Sequence, residues 1–182
     1  MGVVTTLPRG RGFTRADLDA MPDDGRRYEL VDGSLIVTPA PSVRHQIVVM
    51  RLVVLLDAAC PSDLRVLSAP LDVALTGDSV LQPDVLVARR TDLTEKDLPV
   101  APVLVIEVLS PSTRRVDLTL KRSRYEDAGC PSYWVVDPDG PSITTWVLQG
   151  DRYVDSGHVS GDQSLDVTTP YPLILVPARL LD

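Results

Sequence analysis

The chain has 182 residues, 44% hydrophobic and 24% charged, enough apolar sequence to bury a core without disulfides or metals as staples. Its formal net charge is −7 and its sequence pI about 4.8, which argues against a surface that binds nucleic acid indiscriminately. No apolar run is long enough to span a membrane: the longest candidate, 47–60, is interrupted by Arg51 and Asp57, and the first dozen residues lack the apolar stretch of a signal peptide.

Residues 1–12, with Pro8 and three glycines, read as a loose tail ahead of one domain over 13–182. Thr14 followed three residues on by Asp17 is an N-cap signature and predicts a short helix over 14–21. After a turn at 22–25, the runs 28–31 and 34–38 flank Asp32-Gly33, the strongest short hairpin signal in the chain. Ser42 then caps a helix over 43–59, which ends before Pro61. Its apolar residues cover most of the circumference, so it is expected to be buried on more than one side.

Strand-like runs follow at 64–69 and 71–75, joined at Pro70, and at 80–88; residues 92–98 suggest a helical turn. The run 103–109 is apolar throughout except for Glu107, the pattern of a fully buried central strand. An amphipathic helix over 116–128 is closed by Gly129. Strands at 132–136 and 143–148 surround the turn 137–141, and 152–158 is placed to pair with the second. The acidic C-terminus offers no clear element. Together these predict an α/β fold, a mixed β-sheet flanked by helices with an N-terminal hairpin.

Cys60 and Cys130 can form at most one disulfide and cannot close a structural zinc site; with no export signal they read as reduced thiols in a cytoplasmic protein. Charge is uneven. Residues 114–124 carry five cations (Arg114, Arg115, Lys121, Arg122, Arg124) against Asp117, whereas residues 137–182 carry seven aspartates against two arginines. The basic segment is either a local polyanion contact or a solvated helix face.

Glu107 is the most informative residue. A carboxylate inside Val-Leu-Val-Ile-Glu-Val-Leu is costly to bury unless it is paired or bound to a metal. Alternation places it on one face with Val103, Val105 and Leu109, while Asp84, just after Pro83, stands where a strand begins. Two carboxylates on neighbouring strands would make a hard oxygen site suited to Mg²⁺ or Mn²⁺. Softer ligands are sparse (His45, His158 and the two cysteines), which disfavours zinc. The competing reading pairs Glu107 with a helix arginine and leaves Asp84 as an ordinary strand-start residue.

Gln-Pro-Asp84-Val, then Ile-Glu107-Val-Leu-Ser-Pro-Ser-Thr, then Asp117, Lys121 and Tyr125, then Tyr-Trp-Val-Val-Asp-Pro at 133–138 resemble, as an ordered set, the Uma family of restriction-endonuclease-like proteins in the PD-(D/E)XK nuclease superfamily. Tyr-Glu29-Leu-Val-Asp-Gly at 28–33 and the helix carrying His45 fit the same pattern, so the likeness spans about 13–178. The resemblance implies a restriction-endonuclease-like fold and a metal held by Asp84, Glu107 and the backbone carbonyl of Val108, with Glu29 orienting water or touching a second ion. The superfamily's lysine two residues after the glutamate is Leu109 here, and its role passes to Lys121 on the next helix. Without the resemblance, Lys121 is an exposed i,i+4 partner of Asp117 and His45 a hydrogen-bonded residue at the core edge.

The activity implied is metal-dependent hydrolysis of phosphodiesters in nucleic acid, DNA before RNA, with Arg114, Arg115, Arg122 and Arg124 holding flanking phosphates. A homodimer follows by superfamily analogy alone. Two other readings stay open: an inactive nuclease-like fold that binds nucleic acid or regulates, and a hydrolase of small phosphate esters.

Overall fold

The structure, a computed structural model, describes residues 5–7 and 11–182. In chain order its elements are β1 (Thr5–Leu7), α1 (Arg15–Asp19), β2 (Arg27–Val31), β3 (Ser34–Thr38), α2 (Val43–Ala59), β4 (Leu64–Ser68), β5 (Val73–Thr76), β6 (Ser79–Leu81) and β7 (Val85–Arg89). A 3₁₀ turn (Arg90–Asp92), β8 (Leu104–Val108), a π-helical segment (Val116–Lys121) and α3 (Arg122–Asp127) follow. The chain ends with β9 (Ser132–Asp137), β10 (Ser142–Gln149), β11 (Arg152–Ser160), β12 (Leu165–Val167), β13 (Leu173–Leu175) and a 3₁₀ turn (Pro177–Leu180).

The larger sheet has the order β11-β10-β9-β8-β7-β4. It is mixed: β8 and β9 run parallel and every other pair is antiparallel. Parallel neighbours need a long crossover, and the π-helical segment with α3 supplies it. Both faces of β8 are covered, so all five of its residues are buried. On one face Leu104, Ile106 and Val108 pack with Val48, Leu52 and Leu56 of α2. On the other, Val105 and Leu109 pack with Tyr125, Tyr133 and Leu86.

The smaller sheet, β1-β3-β2-β6-β5, is built on the predicted hairpin. Asp32 (φ 49°) and Gly33 (φ 70°) make the tight turn, and both adopt the left-handed region that such turns require. A side chain at Gly33 would also meet the backbone of Gly12 at 3.0 Å. The capping box at Thr14 and Asp17 forms as the spacing predicts.

Six expectations are corrected. The run 80–88 is not one strand: Gln82, Pro83 and Asp84 separate β6 in the smaller sheet from β7 in the larger, because Pro83 cannot donate to a ladder. The runs on either side of Pro70 likewise fall in different sheets. The α2 helix spans the predicted residues but buries one stripe only; Val43 (78% exposed), Met50 (57%) and Val54 (61%) face outward. The helical turn comes earlier, at Arg90–Asp92, and Leu98 forms a bridge to Val73 instead. Residues 5–7 of the expected tail form an edge strand on β3, while the rest of that expectation over 1–4 and 8–10 lies outside the described residues. The C-terminal segment, in which the sequence suggests no element, forms the β12–β13 ribbon, and Tyr171 near its end donates a hydrogen bond to the Leu56 carbonyl of α2 at 2.9 Å.

Candidate functional site

Asp84 and Glu107 meet because of register. In the antiparallel β7–β8 pair, Val85 lies opposite Ile106, so the next residue outward on each strand is Asp84 or Glu107. The Val108 backbone N–H donates to Asp84 Oδ2 at 2.8 Å, which fixes the carboxylate against β8. His45, in the first turn of α2, reaches the same oxygen through Nε2 at 3.1 Å. The other oxygen, Oδ1, accepts from Arg27 Nη1 at 2.9 Å. Arg27 and Glu29 alternate onto one face of β2, and Glu29 Oε1 accepts the Gln82 N–H at 2.8 Å, which ties the smaller sheet to the break between β6 and β7.

Lys121 closes the far side. Its ammonium lies 2.9 Å from Glu29, 3.2 Å from Glu107 and 3.7 Å from Asp117, and its side chain is 1% exposed. It is therefore not the exposed partner of Asp117 that spacing alone suggests. A π-helical turn is wider than an α turn and recurs at functional sites; here it begins beside Asp117, whose carbonyl accepts from Tyr133 Oη at 2.8 Å.

The carboxylates differ in charge state. Burial alone would push Asp84 up, but the His45 hydrogen bond and the Arg27 charge outweigh it and hold the group well below the usual carboxylate range. Burial raises Glu107 well above that range, with Asp117, Asp84 and Glu29 adding repulsion and Lys121 only partly offsetting them. Burial pushes Asp117 up to about 6 against the pull of Lys121. Burial would depress Lys121, but Glu107, Glu29 and Asp117 together raise it, so it stays an ammonium.

Among the described residues, no group of three or more His, Cys, Asp or Glu side chains is arranged to hold a metal ion. The physical reason is that Lys121 and Arg27 stand between the carboxylates. Two features nonetheless fit a hard divalent cation. Glu107 Oε2 is buried with no hydrogen-bond partner. If all four buried carboxylates (Glu29, Asp84, Glu107, Asp117) ionise, they face only two permanent cations, and a divalent ion would offset the difference and favour the charged forms of Glu107 and Asp117.

A cleft of about 760 Å³ opens onto one end of this cluster, lined among others by Arg27, His45, Gln82, Asp84 and residues 110–113. Glu107, Lys121 and Asp117 lie behind that lining. Of the site residues named from sequence, Asp84, Glu107, Lys121, Glu29 and His45 converge, as does Val108 through its N–H. The four arginines do not converge on the cleft. Arg114 pairs with Asp137 at 2.6 Å, Arg122 stacks on Trp146 at 5.1 Å, Arg124 pairs with Asp32 and Asp127, and Arg115 is exposed. Sequence reading passed over Arg27. Its signal was the alternation Arg-Tyr-Glu, which sends a cation and Glu29 to the same face.

A family model described as Uma2, putative restriction endonuclease, matches residues 15–176. No curated protein matches the chain. Among solved structures, the crystal structure of a putative nuclease belonging to DUF820 from Anabaena variabilis is similar, with a TM-score of 0.71 and 20% identity over 93% of this chain and 97% of that one. At that identity the likeness establishes the fold, and the family match covers nearly all the site-bearing elements from α1 to β13. The chain belongs to the Uma2 family.

Proposed function

We propose that the protein is a metal-dependent endonuclease that hydrolyses phosphodiester bonds of DNA, with Mg²⁺ or Mn²⁺ held by Asp84, Glu107 and the Val108 carbonyl. The observation that carries this reading is the buried, unpartnered Glu107 Oε2 on the strand next to Asp84, which itself lines the cleft. When bound, the ion supplies positive charge at the scissile phosphate and a water of lowered pKa. The chain's own groups do the rest. Val108 N–H and His45 hold Asp84 in one orientation. Lys121, from behind the cleft, fixes Glu29 and Glu107 relative to each other and adds a permanent positive charge to the field at the site. Glu29 orients the attacking water. Arg114 and Arg115 lie outside the cleft, next in chain to the loop 110–113 that lines it, and hold phosphates that extend beyond its rim; the exposed Arg114–Asp137 pair is worth only about 0–1 kcal/mol and yields readily to a phosphate. Arg122 and Arg124 have partners of their own and a lesser part.

A homodimer is drawn from superfamily analogy, and the outward apolar stripe of α2 is compatible with it. Two free thiols suit a reducing, cytoplasmic compartment; among the described residues no helix is long and apolar enough to cross a membrane.

The test is incubation of purified protein with Mg²⁺ or Mn²⁺ and supercoiled, linear and branched DNA, with RNA and a small phosphodiester alongside. Cleavage by the wild type that disappears in Asp84→Ala and Glu107→Ala supports the proposal. A second reading, a nuclease-like module that binds without cutting, draws on the engagement of both Asp84 oxygens by protein groups. Metal and DNA binding with no turnover on any substrate would favour it. Turnover of the small ester alone would point to a phosphoesterase.

A further inference from the structure

Asp84 has no free oxygen. Oδ2 takes the Val108 N–H and His45, and Oδ1 takes Arg27. Oδ1 has Arg27 as its single partner, so a cation that binds there meets this guanidinium first. Val108 N–H is backbone, locked into a buried strand. His45 sits on a long helix whose first turn is capped by Ser42. Arg27 differs from both. It is a flexible side chain, 20% exposed, and it lines the cleft. Its remaining contacts are loose: 3.7 Å from Nε to Glu29 Oε2 and 3.3 Å from Nη1 to the Gln82 carbonyl. Lys121, the other cation of the cluster, is sealed from the cleft and held by three carboxylates.

Resting on the metal-dependent reading above, we propose that Arg27 is a displaceable counter-ion: its guanidinium occupies the cation position on Asp84 until a divalent ion takes it, then turns into the cleft to meet a phosphate of the nucleic acid. The device answers two needs. Without Arg27, buried Asp84 would keep only His45 and a backbone N–H, and Glu29 would keep only Lys121, which it shares with two other carboxylates, a costly arrangement. Once displaced, the same guanidinium has the planar fork that suits a phosphate's oxygens. Metal binding and substrate binding are then linked, because the ion releases the arginine that the substrate uses.

Calorimetric titration with Mn²⁺ on wild type, Arg27→Met, Arg27→Lys and Asp84→Asn tests this, with DNA affinity measured in Ca²⁺ by fluorescence anisotropy. Removing a unit charge a few ångströms from the ion should tighten Mn²⁺ binding about tenfold or more in Arg27→Met. The same variant should bind DNA more weakly than wild type. Arg27→Lys keeps the charge and should stay near wild type in metal affinity, and Asp84→Asn should lose the metal. If Arg27→Met binds Mn²⁺ equally or more weakly while its circular dichroism and melting remain native, the counter-ion role is overturned and the nuclease reading stands. Should Arg27→Met prove unfolded, Arg27→Gln takes its place, with the same two outcomes. If Mn²⁺ binds neither wild type nor any Arg27 variant, the metal-dependent reading and the counter-ion role fall together.

Discussion

The charged cluster has two halves that obey different physics. At the cleft, Asp84 is met by Arg27, His45 and a backbone N–H, and its charge is held on. Behind it, Glu107, Glu29 and Asp117 share one ammonium, and two of the three are pushed toward the neutral form by burial. The same residue types give opposite outcomes because compensation, not identity, sets the charge state. The cleft half is arranged to exchange partners, whereas the sealed half is arranged to keep them.

Substituting the shared cation should strain this division most. Lys121→Met leaves buried carboxylates without their partner and should destabilise the fold by about 3–5 kcal/mol, read by urea denaturation. Any cleavage activity should fall about 10²–10³-fold in the folded fraction. In the cleft half the effect should be smaller, because water can replace a lost partner: His45→Ala should cost about 1–3 kcal/mol, and a cost equal to that of Lys121→Met would erase the distinction.

pH offers a gentler probe. Asp117 is raised from an ordinary 3.8 to about 6, so between those values the folded state holds a proton that the unfolded chain has lost. Stability should therefore fall as pH climbs through that window, and Asp117→Asn should flatten the slope. Asp84 works in the opposite sense: its contribution is present above its unfolded value and is lost as pH falls through the lower folded one. Melting temperatures of wild type and Asp117→Asn across pH 4–7 read the Asp117 contribution, and extending the series below pH 4 brings in that of Asp84. The smallest effect concerns α2, where Ile47→Ser on the outward face should change stability by no more than about 0.5 kcal/mol. Leu52→Ala on the buried stripe, by contrast, should cost about 2–5 kcal/mol.

Local signals in the chain were strong where a single interaction decides the outcome. Asp-Gly at 32–33 made the hairpin, Ser42 and Thr14 began helices, and Gly129 ended one. A lone carboxylate in an apolar strand marked Glu107 as a residue needing a partner, and the ordered motifs identified the family. Other features depend on groups far apart in sequence. Arg27 and Asp84 are 57 residues apart, and their contact depends on how the smaller sheet docks against the larger. Lys121 reads by spacing as an exposed partner of Asp117, and only the packing of the crossover helix buries it among three carboxylates. The outward face of α2 carries apolar Val43, Ile47, Met50 and Val54 beside Arg44, Arg51 and Asp57, and only the position of the sheet decides which apolar stripe is covered. Spacing along the chain thus determined turns, caps and the identity of the acidic residues, because those depend on neighbours a few bonds away. Charge states, the partners of Lys121 and access to Asp84 were decided by the tertiary structure, because burial and Coulomb interactions depend on distance in space.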